Sequence, residues 1–228
     1  MCFSATASFG SAAILAVIGI ATVRKTTKRK QVPFAGLPFI FAIQQFAEGF
    51  AWLSFTNNEF AEWQEPASNL FLIFALVFWP IWIPFSILVL EKNYQRKSIL
   101  YFLLTIGILV AGYFSYSLLT FPVIAVVENS HIFYHVEYPG SFITTSNLMY
   151  GLATILPTFV SSSRRIWLLG VCIILSYMAT LIFFPENIIS VWCYFAALIS
   201  CVVYWIIIGQ ISRPGKLYPM FGIKPGTM

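Results

Sequence analysis

The stretch PFAGLPFIFAIQQFAEGFAWLS, Pro33–Ser54, decides how this chain folds. It is mostly apolar and long enough to cross a bilayer, which takes about 20 residues. Yet its second half carries Gln44, Gln45 and Glu48. On a helix Gln44 lies one turn before Glu48 and Trp52 one turn after, so the three share a face, with Gln45 beside them. A charged or amide side chain costs a few kcal/mol in hydrocarbon, so this face is expected to look into protein. The stretch therefore reads as one helix of a membrane bundle with a polar interior.

The rest of the composition agrees. Of 228 residues 59% are hydrophobic and 9% charged, with a mean hydropathy of +0.84. Soluble domains carry about 25% charged residues, so a soluble fold is excluded. The expectation is a single integral membrane domain, residues 1–228, with no second domain. The net charge of +5 does not point to nucleic acid. All 13 Lys and Arg fall in four clusters between apolar runs, a pattern of membrane topology.

Those clusters order the chain. An apolar run from about Phe9 to Val23 is followed by Arg24, Lys25, Lys28, Arg29 and Lys30, with no basic residue before it. A secretory signal has the reverse order, so this run reads as a retained first span with the amino terminus outside. Gly10 and Gly19 suggest close packing against a neighbour. Pro33–Ser54 returns outward to an acidic loop with Glu59, Glu62 and Glu65. A third span, Asn69–Leu90, contains Pro80 and Pro84, which predict a kink, tolerated where neighbours or waters take up the freed carbonyls. Lys92, Arg96 and Lys97 mark the inside again, and a fourth span covers Ile99–Leu119.

Pro122–Val127 and His131–Tyr138 are β-prone and flank the turn residues Glu128, Asn129 and Ser130, which predicts an external β-hairpin near residues 122–138. Its second strand puts His131, Phe133, His135 and Glu137 on one face and Ile132, Tyr134, Val136 and Tyr138 on the other. A short helix would also bring the two histidines together. Spans five to seven follow at about Phe142–Val160, Ile166–Phe184 and Ile188–Ile208. The fold class is thus an all-α membrane protein of about seven transmembrane helices, amino terminus outside and carboxyl terminus cytoplasmic. Every Lys and Arg lands inside and six of the eight Glu outside, Glu48 and Glu91 being the exceptions.

On this topology Cys2, Glu48, His131, His135 and Cys193 gather toward the outer side. Thiolate, imidazole and carboxylate are ligands for copper or zinc. Gln44, Gln45 and Trp52 would support such a site from behind, and Met149 could add a thioether. Each residue also has a plainer reading. Glu48 can be a carboxyl held by Gln44 and Gln45, the histidines a polar loop surface, and Cys193 a small buried hydrophobe. Asp is absent, and there is no phosphate-binding loop, dinucleotide glycine pattern, nucleophile elbow or zinc-protease helix motif.

Met1-Cys2-Phe3-Ser4-Ala5, Gln44-Gln45-Phe46-Ala47-Glu48-Gly49 and Trp192-Cys193 resemble an uncharacterised family of small multi-pass membrane proteins that open with an MCFSA string. The resemblance runs over most of the chain and implies roles for Cys2 and Glu48 without naming a reaction. Seven spans with the amino terminus outside also resemble the alkaline ceramidase type of membrane zinc hydrolase, which uses three histidines with a Ser and an Asp. This chain has two histidines and no Asp. Three function classes follow. One is a copper or zinc protein for redox, sensing or metal handling. Another is a zinc hydrolase acting on a lipid. The third is a metal-free carrier or accessory protein in which Glu48 is a proton or substrate site. The expected partners are the lipid bilayer and a metal ion, in a bacterial cytoplasmic membrane or a plasma membrane.

Overall fold

The computed structural model describes residues 4–128, 131–139, 142–183 and 188–211. In chain order the helices are α1 (Ala5–Arg24), the short α2 (Val32–Ala35), α3 (Leu37–Thr56), α4 (Gln64–Leu72), α5 (Trp79–Leu90) and α6 (Tyr94–Thr120). Strands β1 (Val123–Glu128) and β2 (His131–Val136) come next, then α7 (Ile143–Val160), α8 (Arg164–Phe183) and α9 (Ile188–Ile211). A 3-10 turn, α4, a π-helical stretch (Ile73–Phe78) and α5 join into one run, Asn58–Leu90. Among the described residues the chain is therefore mainly helical, with a two-stranded antiparallel hairpin.

Among the described residues four helical runs are long and apolar enough to cross a membrane: Ala5–Arg24, Asn58–Leu90, Tyr94–Thr120 and Arg164–Phe183. The long helices α3 and α7 are more polar, α3 through Gln44, Gln45 and Glu48 and α7 through Thr144, Thr145, Ser146 and Asn147. Burial matches this division. Twelve of the 20 residues of α3 are buried, against five of 20 in α1 and five of 20 in α8. Large apolar side chains instead cover the outside of the bundle, including Val17, Leu109, Leu119 and Leu175. Polar inside and apolar outside reverses the arrangement of a water-soluble protein.

Helix α1 packs on α3 along Ser8, Ala12, Leu15, Gly19 and Thr22. The spacing of 4, 3, 4, 3 and the small residues make a narrow seam that lets backbones approach. A Cβ at Gly19 would strike the Phe39 backbone, whereas one at Gly10 would meet nothing within 4 Å. Among the described residues Gly10 thus has no close neighbour, contrary to the expectation for it. The second predicted helix is also split. Gly36 ends α2, and Pro38 in the first turn starts α3, a position where a missing N–H costs nothing.

The two prolines act through the π-helical stretch. Its ladder carries the Trp79 N–H to the Phe74 carbonyl. The next donor would be Pro80, which has none, so the Ala75 carbonyl is left over. Tyr150 on α7 donates its hydroxyl to that carbonyl at 2.6 Å. One turn later Pro84 leaves the Pro80 carbonyl free, and Gly107 of α6 packs directly against it. Tyr150 takes up the Ala75 carbonyl as expected of a neighbour, whereas Gly107 brings α6 close to the Pro80 carbonyl without a side-chain donor.

At one end of the bundle the turn after α5 is fastened to the turn after α7. Glu91 accepts hydrogen bonds from Ser162, and Arg96 donates to the Val160 and Ser161 carbonyls. Trp82 donates to the Pro33 carbonyl, bringing the segment after α1 to the same end. The hairpin closes the opposite end. In β2 residues Ile132, Tyr134 and Val136 are buried while His135 is exposed, the period-two pattern expected of a strand with one face on a core. That face joins Ala51, Trp52, Phe71 and Phe114 in one apolar cluster, and Tyr134 stacks on Phe71 at 5.1 Å.

Candidate functional site

The face of α3 singled out by its sequence is an enclosed polar surface. Gln44, Gln45 and Glu48 are each 0% exposed, and Trp52 is buried above them. Helical spacing sets them in a column, and the small residues Ala47, Gly49 and Ala51 between them allow α3 to be surrounded closely. At Gly49 an added Cβ would strike the Phe9 ring of α1.

Two hydrogen bonds organise the column. The Gln45 Nε2 donates to Glu48 Oε2 at 3.0 Å. The indole N–H of Trp79 donates to Gln44 Oε1 at 2.8 Å, and the Trp79 ring stacks on Phe41 at 3.9 Å. Trp79 is the first residue after the π-helical stretch, whose extra residue per turn changes the direction in which the following side chains leave the helix. Other polar atoms find no hydrogen-bond partner among the described residues: Gln44 Nε2, Gln45 Oε1, Trp52 Nε1 and, on α1, Ser8 Oγ. A buried polar atom left unmade costs about 1–3 kcal/mol, so several of them on one helix face mark a surface shaped for something other than stability. A carboxyl group beside donors and acceptors that have no partner among the described residues suits a proton or a small polar group.

The residues read as metal ligands are placed as follows. Cys2 lies outside the described residues, and so does the side chain of Cys193, whose backbone belongs to α9. Glu48 is buried in α3, His131 is 5% exposed at the start of β2, and His135 is exposed on the outer face of the hairpin. Among the described residues no three His, Cys, Asp or Glu side chains come together as a metal-binding group. Met149 is 37% exposed on α7, so it lines no buried site. Gln44, Gln45 and Trp52 do stand with Glu48, as the shared helix face predicts.

Burial pushes the His131 imidazole below its ordinary value, favouring the neutral ring. Burial raises the Tyr138 phenol to about 12, with Tyr113 adding to the effect, so Tyr138 remains a donor at any physiological pH. Sequence reasoning missed Trp79 and Ser8. The Ser8 signal was present in the 4, 3, 4, 3 stripe of small residues on α1. Trp79 left none, because its direction depends on the π-helical stretch.

No curated protein and no solved structure matches the chain. A family model described as "Family of unknown function (DUF6629)" matches residues 1–216, and the chain belongs to that family.

Proposed function

We propose that this is an integral membrane carrier or accessory protein in which Glu48 is a proton-binding site. It crosses the membrane seven times with its amino terminus outside, in a bacterial cytoplasmic or plasma membrane. One observation carries the reading: a fully buried carboxyl group that accepts from Gln45, in a column where Gln44 Nε2, Gln45 Oε1 and Trp52 Nε1 have no hydrogen-bond partner among the described residues. Intramembrane carboxyls at such positions serve ion and proton pathways. The Gln45 amide suits either protonation state. Its NH₂ faces a carboxylate, and a half-turn of the amide would present Oε1 to a protonated Glu48.

A copper or zinc site would need Cys2 and Cys193 to join Glu48 or His131, and a lipid hydrolase would need that metal to activate water. The proton reading requires only residues that already stand together. Elemental analysis of the purified protein distinguishes the two.

In proteoliposomes with an imposed pH gradient, wild-type protein is expected to pass protons, and Glu48→Gln to fall to the level of empty liposomes. Equal flux in the two proteins would reject Glu48. For the topology, reporters fused after Arg29, Lys97 and Arg165 should read inside. Those at Glu62, Asn129 and Asn187 should read outside, and one reversed site would break the seven-span order.

A further inference from the structure

We infer that the hairpin end of the bundle carries a second site, a surface cleft that binds a small organic cation bearing an ammonium group. The cleft has a volume of about 430 Å³ and is lined by Ala61, Glu62, Gln64, Glu65, Ser68, Pro122, Val123 and Ala125. It lies between the start of α4 and strand β1. The Gln64 Nε2 fastens the two walls by donating to the Ala125 carbonyl at 3.2 Å. The volume lies within the range of small-molecule sites, roughly 300–1,000 Å³.

Its charge selects the ligand. Glu62 and Glu65 stand exposed at the mouth, with Glu59 one turn earlier, and residues 54–69 and 120–139 contain no Lys or Arg. The amino end of α4 contributes only about half a positive charge, which two carboxylates outweigh. The cleft is therefore negative and rejects anions.

Ser68 supplies the independent sign of a ligand. It lines the cleft, is 2% exposed, and its hydroxyl has no hydrogen-bond partner among the described residues. A hydroxyl held there and unmade costs free energy that a bound donor would recover. The ligand that fits has a cationic head for Glu62 and Glu65, a hydrogen-bonding group for Ser68, and a short apolar body against Pro122, Val123 and Ala125. The site shares no residue with the Glu48 column, so it stands or falls separately.

The test is calorimetric titration of the full chain in nanodiscs with putrescine and choline, and with glutamate as the anionic probe. At least one cation should bind saturably and more weakly at high salt, while glutamate should not bind. The double variant Glu62→Gln/Glu65→Gln should weaken binding about tenfold or more, and Ser68→Ala several-fold, with unfolding temperatures near wild type. Glu48→Gln should bind the cation like wild type. Failure of both cations to bind, equal binding of glutamate, or wild-type affinity in the double variant or in Ser68→Ala would overturn the inference.

Discussion

Gly107→Val is expected to destabilise the protein by about 3 kcal/mol or more. A Cβ at this position falls on the Pro80 carbonyl oxygen, close to the Pro80 carbonyl carbon as well. Both are backbone atoms, so no side chain can turn aside, and α5 and α6 would have to separate. The position exists because Pro84 leaves that carbonyl without its helical donor. Gly112 on the same helix has nothing within 4 Å of an added Cβ. Gly112→Ala is therefore expected to be neutral or stabilising by up to about 1 kcal/mol. Tyr150→Phe removes the hydrogen bond to the Ala75 carbonyl and should cost about 1–2 kcal/mol. Equilibrium unfolding of the three variants in detergent micelles checks the order.

Glu91→Ala should cost about 3 kcal/mol. The Glu91 carboxylate is buried and accepts from Lys92 N at 2.8 Å, Asn93 N at 2.9 Å, Ser162 N at 2.7 Å and Ser162 Oγ at 2.7 Å. Removing it strands three backbone donors and releases the turn that Arg96 also grips. Burial alone would raise this carboxyl, but the hydrogen bonds from Ser162, Asn93 and Lys92 outweigh it and hold the group below its ordinary 4.5. The unfolded chain then binds the proton more readily than the folded one. Glu91 thus contributes its full stabilisation above pH 4.5, and that part is lost as pH falls through the lower folded value. Wild-type protein should lose stability on acidification below that point, and Glu91→Ala should lack this component. Identical acid profiles would contradict the assignment.

Hydrophobic runs and basic clusters made the long helices legible, because a bundle that exposes apolar side chains needs no amphipathic pattern. The hairpin was legible from alternation in His131–Tyr138, which assigned the residues of β2 to two faces without stating which of them is buried. The column Gln44, Glu48, Trp52 was legible because helical spacing fixes a shared face whatever packs against it. Long-range partners were not. Trp79 reaches Gln44 only after a π-helical stretch, and sequence places two prolines without stating which register the helix adopts. Glu91 stood out only as an acid on the basic side, and its role depends on a turn 71 residues further on. The histidines show the limit of counting shared faces. Both lie on one face of β2, yet His131 is buried and His135 exposed.

In the function proposed above, Glu48 binds and releases a proton inside the bundle. Infrared difference spectroscopy of the reconstituted protein, stepped between acidic and alkaline pH, reads the carboxyl C=O stretch directly. A pH-dependent carboxylic-acid band is expected, one that disappears in Glu48→Gln while the helical amide bands stay unchanged. A spectrum with no such band at any pH, or one that Glu48→Gln leaves intact, would contradict it.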